Sequence, residues 1–409
     1  MRSSACIKSL MPLLIVLSVQ GHAEANPVDA FGFGARSVGM SGAMTASAEG
    51  FEASHYNPAA LALDDRLRIE LGYAYMHPTL RLNGEDLGVD AHRGFQGGFV
   101  LAGDLYERTV AFSLSLFLPD RLITRVRALP ERQPRFVMYD NRPQRLVLSA
   151  SLAVEVFEGL TIGASLSFLS HTKGQLDVSG LVGFTDSDET QLRTGVVEDL
   201  VAVRYPTVGI HYSPTPEMKL GITFREEFAL ELGLEVIVGG DIVEDGETTL
   251  TDASFEMASD SQTLFSPRQL AFGWAWDTGC WQVSADITWA QWSRFPTPTA
   301  TVSMSLDLPG LPVELPPPDT PLAPNFHDIF IPRIGVETSA LAHPVFELKV
   351  RGGYAYEPSP VPAQQGRTSY VDTDKHSFSL GIGLTLNVLE SVLPEPVEID
   401  VATQFIYLP

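Results

Sequence analysis

Ser41 stands in Gly39-Met40-Ser41-Gly42-Ala43, one residue short of the Gly-x-Ser-x-Gly elbow that presents a serine nucleophile. That elbow needs glycine at its last position, with a strand before it and a helix after it. Ala43 fails the first condition, and the small-residue sequence around it fails the second. The glycines here are not followed by Gly-Lys-Ser/Thr, so they make no phosphate loop. Nine histidines lie scattered without His-x-x-x-His spacing, and Cys6 and Cys280 form no Cys-x-x-Cys pair, so neither metal nor cofactor is expected. What remains is binding chemistry. Lys349 and Arg351 share one face of a predicted strand and could hold a carboxylate head group, or be neutralised by Glu347 and other acids. Phe31 and Phe33 could line an apolar site or pack as ordinary core.

The elements that must position such groups alternate with period two. In residues 376–386, Phe378, Leu380, Ile382, Leu384 and Leu386 share one face, against Ser377, Ser379, Gly381, Gly383 and Thr385. Residues 282–290 and 346–356 read the same way, and so do stretches near 145–156, 160–168 and 398–408. Strict alternation over this length means half-buried strands. A soluble sandwich would bury the apolar face, whereas a membrane barrel turns it to lipid around a polar lumen. Many runs are about ten to fourteen residues long, enough for a tilted strand to cross a bilayer, and soluble strands are shorter. Trp274 and Trp276, Trp281, and Trp289 and Trp292 fall at the ends of crossings, as interfacial girdles would. The expected fold is therefore an all-β transmembrane antiparallel barrel.

Compartment agrees. Residues 1–25 read as a signal peptide, with Arg2 and Lys8 before an apolar core and Ala23-Glu24-Ala25 as a cleavage site. After cleavage only Cys280 remains, so no internal disulfide is expected. The net charge of -23 disfavours nucleic acid and anionic head groups as partners.

Short turns near 104–107, 157–160, 213–217, 277–280, 341–344 and 389–395 alternate with long loops near 77–92, 119–143, 173–199, 233–266, 294–329 and 358–374. Outer-membrane barrels keep short turns on the periplasmic side and long loops outside. Thirteen strands can be read, near 67–76, 93–103, 108–118, 144–157, 160–172, 200–213, 217–232, 267–277, 280–293, 330–341, 345–357, 375–388 and 396–408. Bacterial single-chain barrels have even numbers. The barrel, 67–409, is thus expected to lack its last strand, unless a further crossing lies within 233–266.

Upstream, residues 26–66 are rich in glycine and alanine and contain Asn57-Pro58-Ala59. Pro58 cannot donate to a ladder, and Asn57 before it is pushed towards extended backbone. The stretch 32–61, GFGARSVGMSGAMTASAEGFEASHYNPAAL, resembles the hatch of the FadL family of outer-membrane transporters of long-chain fatty acids and other hydrophobic compounds. DITWAQWSRF at 286–295, IPRIGVETSA at 331–340, VRGGYAYEPSPVP at 350–362 and DTDKHSFSLGIGLTLN at 372–387 resemble later strands of that family in the same order. The resemblance implies fourteen strands around a plug. In the plug Gly32, Gly34, Gly39 and Gly42 would permit tight turns and close approach. It implies passive capture of a hydrophobic ligand by external loops (173–199 and 233–266 are candidates), a site above the hatch, and lateral exit. The gap in the wall would lie beside strand 108–118, near Gly94, Gly97 and Gly98, glycines that could equally make room for the hatch. The expected surroundings are outer-membrane lipid and lipopolysaccharide, and the expected state is a monomer. A general small-solute porin would need an open, plug-free pore. A barrel enzyme acting on lipids would need a Ser–His pair, and the alternation provides no compelling one.

Overall fold

A computed structural model describes residues 27–64, 66–89, 91–121, 134, 136, 145–183, 191–244, 247–296, 300–307, 309, 323–364, 370–387 and 395–409. The signal peptide, residues 1–25, lies outside the described residues. Strands in chain order are β1 Arg68–Met76, β2 Arg81–Leu82, β3 Glu85–Asp86, β4 His92–Leu105, β5 Arg108–Pro119, β6 Val147–Phe157, β7 Leu160–Gly183, β8 Gln191–Tyr212 and β9 Met218–Arg225. They continue with β10 Phe228–Glu244, β11 Glu247–Ser266, β12 Gln269–Asp277, β13 Trp281–Ala290, β14 Ala300–Asp307, β15 Ile329–His343, β16 Phe346–Glu357, β17 Lys375–Leu386 and β18 Val397–Tyr407.

Thirteen of these pair neighbour to neighbour as the wall, in the order β1-β4-β5-β6-β7-β8-β9-β12-β13-β15-β16-β17-β18. The strands expected from the alternation are the wall strands. Apolar rows turn outwards, as with Leu71 at 90 %, Val401 at 68 % and Leu380 at 66 % exposed. Their neighbours Gly381, Ser379 and Ser377 face in and are buried. Among the described residues no helix is long and apolar enough to cross a membrane. β1 and β18 have no ladder between them, and with twelve antiparallel reversals along the path they run the same way.

Three expectations need correction. The strand expected at 217–232 is two elements, because Glu226 and Glu227 leave the wall to pair with Arg268 and Arg294, each at 2.6 Å. The loops expected at 173–199 and 233–266 are largely strand. β7 and β8 continue outwards as one hairpin, and β10 and β11 form a second, with β10 lying parallel to β7 over Leu234–Val243. The second hairpin is off the wall path and adds no crossing. Trp292 is no girdle residue. It sits in a 3-10 turn, Trp292–Arg294, that folds it inside at 2 % exposure, whereas Trp274 and Trp276 do face outwards.

The lumen holds the chain's N-terminal segment. It comprises helices α1 Pro27–Phe31, α2 Ala35–Gly39 and α3 Ala53–Tyr56, with 3-10 turns at Gly50–Glu52 and Pro58–Leu63. Each is too short to stand alone, since helices under about 12–15 residues are marginal in water. Their stability comes from the wall around them.

Candidate functional site

The hatch is held by polar groups and capped by apolar ones. At its centre, Arg36 on α2 is buried among acids. Its Nε donates to Glu337 of β15 at 3.1 Å, and its Nη1 donates to the Ser47 carbonyl at 2.7 Å. Glu337 is shared with Arg351 of β16, which also donates to Asp400 of β18 at 2.5 Å. One continuous chain, Arg36–Glu337–Arg351–Asp400, thus ties the plug to three wall strands. Burial pushes the nearby Glu52 carboxyl up to about 8, against the pull of Arg36. It accepts from the Ser37 N–H at 3.2 Å.

Asn57, Pro58 and Ala59 form the second anchor. Asn57 is extended (φ -160°), as its place before Pro58 demands, and caps the following turn by accepting from the Ala59 N–H at 3.1 Å. Its amide donates to the carbonyls of Thr45 at 2.8 Å and of Ile210 in β8 at 3.1 Å. Asn57→Ala leaves the Thr45 carbonyl short of a donor in a buried place and removes the link to β8, which should weaken hatch docking by roughly 1–3 kcal/mol. Faster amide hydrogen exchange across the plug, with exchange in the barrel unchanged, is the expected reading.

Wall glycines make the fit possible. At Gly163, Gly209, Gly221, Gly273, Gly335 and Gly353 a Cβ would run into hatch atoms at Pro58, Asn57, Thr45 or Met40. These residues were not singled out from sequence. The available signal was glycine at lumen-facing positions in mid-strand. Of the hatch glycines, Gly32, Gly34 and Gly42 have positive φ (78°, 97° and 73°), and Gly39 has its Cα against Gly381. Gly94 and Gly97 pack on neighbouring strand backbone, and Gly98 faces Phe51 of the hatch. The β4–β5 ladder runs unbroken from Gly94 to Leu105.

Above the hatch the lining changes character. Val28, Phe33 and Phe51 of the plug join Phe117, Leu169, Tyr205 and Ile331 of the wall in one buried apolar cluster. Phe265, Trp292, Phe326 and Tyr370 extend it through contacts between their rings. Phe31 packs on His92 at 4.7 Å, and His92 on Phe117 at 5.0 Å. Phe33 meets Phe51 edge-on at 4.8 Å. Phe33 is therefore part of this cluster, and Phe31 reaches it through His92 and Phe117. Arg351 and Lys349 are elsewhere: Arg351 is bound into the ion-pair chain with Glu337 and Asp400, and Lys349 lies two residues nearer the start of β16.

At the border between apolar cap and polar plug lies a cavity of about 90 Å³. Val28 and Ile331 line it from the apolar side, and Asp29, His55 and Arg225 from the polar side. Asp29 lies 2.5 Å from Arg225 and 3.1 Å from His55. Burial alone would raise the Asp29 carboxyl, but Arg225 and His55 together hold it below the ordinary carboxylate value. The arrangement can bind and hold. Among the described residues no group of three or more His, Cys, Asp or Glu is placed to take a metal ion.

The family model for outer membrane protein transport proteins (OMPP1/FadL/TodX) matches residues 14–408. Alkane uptake protein A of Marinobacter nauticus is 23 % identical over 383 residues, 87 % of this chain and 78 % of that protein. A FadL homologue of Pseudomonas aeruginosa matches in structure with a TM-score of 0.50 at 15 % identity, over 91 % of this chain and 90 % of that one. The toluene transporter TodX of Pseudomonas putida gives a TM-score of 0.46 at 14 % identity, over 93 % of this chain and 99 % of that one. With a plugged barrel, lipid-facing apolar rows and a family match over nearly its whole length, the chain belongs to the OMPP1/FadL/TodX family of outer-membrane transport proteins.

Proposed function

We propose that this protein carries hydrophobic small molecules, long-chain fatty acids or hydrocarbons, passively across the outer membrane. The observation that carries the reading is the buried apolar cluster seated on a polar-anchored plug. A molecule crossing here must first leave water and the polar lipopolysaccharide leaflet, and burying its chain is favourable by about 0.8 kcal/mol per methylene. Trp292, Phe326 and Tyr370, together with Phe31 and Phe33, would receive it. No energy source is involved, so flow follows the concentration gradient and hatch movement is the gate. Release is sideways into the bilayer, near β4 and β5. Phe51 covers Gly98 there, so an opening at that point requires the hatch to shift. The barrel works as a monomer, with acyl chains and lipopolysaccharide against its outer rows.

The test is ligand binding to detergent-purified protein. An aromatic hydrocarbon or a long-chain alcohol should bind saturably to the intact chain. Deleting residues 31–62, which removes the floor of the cluster, should abolish saturable binding and raise permeability to small polar solutes. A wild-type protein that binds no hydrophobic probe, or that already passes small solutes freely, would favour a general porin instead.

A further inference from the structure

We propose that Asp29 selects uncharged cargo, by placing a carboxylate of this chain where a fatty-acid head group would otherwise bind. The inference rests on the transport reading above and names its substrate class. An ionised amphiphile held in this lumen would keep its tail in the apolar cluster and its head in the adjoining cavity, against Arg225. That cation sits at the outer end of β9 with its side chain 7 % exposed. Its place is taken. Arg225 Nη1 donates to Asp29 at 2.5 Å, and Nη2 donates to the His55 carbonyl at 2.6 Å. Ser266 Oγ donates to the second oxygen of Asp29 at 3.4 Å, and His55 Nε2 lies 3.1 Å from the first. Asp29 therefore receives the set of donors that a bound carboxylate would seek.

Two other cations near this path are already paired with carboxylates of the chain. Lys375 pairs with Glu357 at 2.5 Å on the cavity wall, and Arg351 is bound to Glu337 and Asp400. Arg333, which also lines the cavity, donates to Thr288 at 2.7 Å and lies within the field of Asp29. A second carboxylate brought here meets an existing anion in a low-dielectric site, in a chain of net charge -23. An alkane, an aromatic hydrocarbon or a neutral derivative such as an alcohol meets no such opposition.

The experiment compares oleate with oleyl alcohol, equal in chain and different in charge, on full-length protein in detergent at mildly alkaline pH. Wild type should bind the alcohol roughly tenfold or more tightly than oleate, the scale of one charge-assisted hydrogen bond. Asp29→Ala empties the position while leaving Arg225, and should shift the ratio of oleate to alcohol affinity about tenfold towards oleate. Asp29→Glu, which keeps the charge, should retain the wild-type preference. Wild type binding oleate as tightly as the alcohol overturns the proposal without any variant. An Asp29→Ala protein with the wild-type ratio overturns it too. Binding of neither ligand to wild type would overturn the transport reading, and this selection with it.

Discussion

Arg36→Met should turn the plugged barrel into a leaky one. The Arg36 side chain is 9 % exposed and sits among three carboxylates, with Glu337 at 3.1 Å and Glu49 and Glu52 each at 3.8 Å. Methionine keeps most of the volume and removes the charge. Glu337 then has Arg351 alone, and the Ser47 carbonyl loses a buried donor. Breaking a buried ion pair from one side costs about 3–5 kcal/mol. The wall strands keep their ladders without Arg36, so that loss falls on hatch docking rather than on the wall. The expected result is a several-fold rise in single-channel conductance or in liposome permeability to small sugars, with the barrel's mobility on gels unchanged. Arg36→Lys should be intermediate, because an ammonium cannot reproduce the guanidinium's fork towards Glu337 and Ser47. Wild-type conductance in Arg36→Met would mean that something other than this ion-pair chain holds the plug.

The barrel was legible because lipid selects side chains one strand at a time. The rows at 282–290 and 376–386 declare their faces without reference to any other part of the chain. The hatch was legible through Asn57-Pro58, whose backbone restrictions are local, and through its family resemblance. Contacts between the two were not. Asp29 and Arg225 are 196 residues apart, and nothing in either neighbourhood says that the plug will bring them together. Trp292 follows a strand ending, where an aromatic serves equally well as an interfacial anchor or an inward cap, so sequence could not separate the two. The outer hairpins were hidden for another reason. The alternation of Leu176 and Val178 against Gln175, Asp177 and Ser179 is short and bounded by Gly174 and Gly180, so in sequence it reads as part of a loop. The wall glycines were visible as residues but silent as a set, since their partners are hatch atoms whose position only the fold supplies.

Gly209→Val should displace the hatch while leaving the barrel as firm as before. A Cβ at Gly209 would overlap the Asn57 side chain and come within 3.1 Å of Pro58 Cδ. Gly209 is held by ladders on both sides, to Gly163 of β7 and Thr223 of β9, so the wall cannot yield. Valine is moreover a better strand former than glycine, so β8 itself gains. All of the strain therefore falls on Asn57, the residue that joins Thr45, Ala59 and Ile210. Overpacking of this kind costs about 1–3 kcal/mol, and the lost Asn57 hydrogen bonds add to it. Limited proteolysis should cut within 40–62 in the variant and not in wild type, and conductance should rise as it does for Arg36→Met. Gly103→Val is the matched control, because nothing lies within 4 Å of a Cβ at Gly103. It should behave as wild type in both assays. Equal behaviour of the two valine variants would show that the plug tolerates a side chain at the wall, and that the glycines are not what seats it.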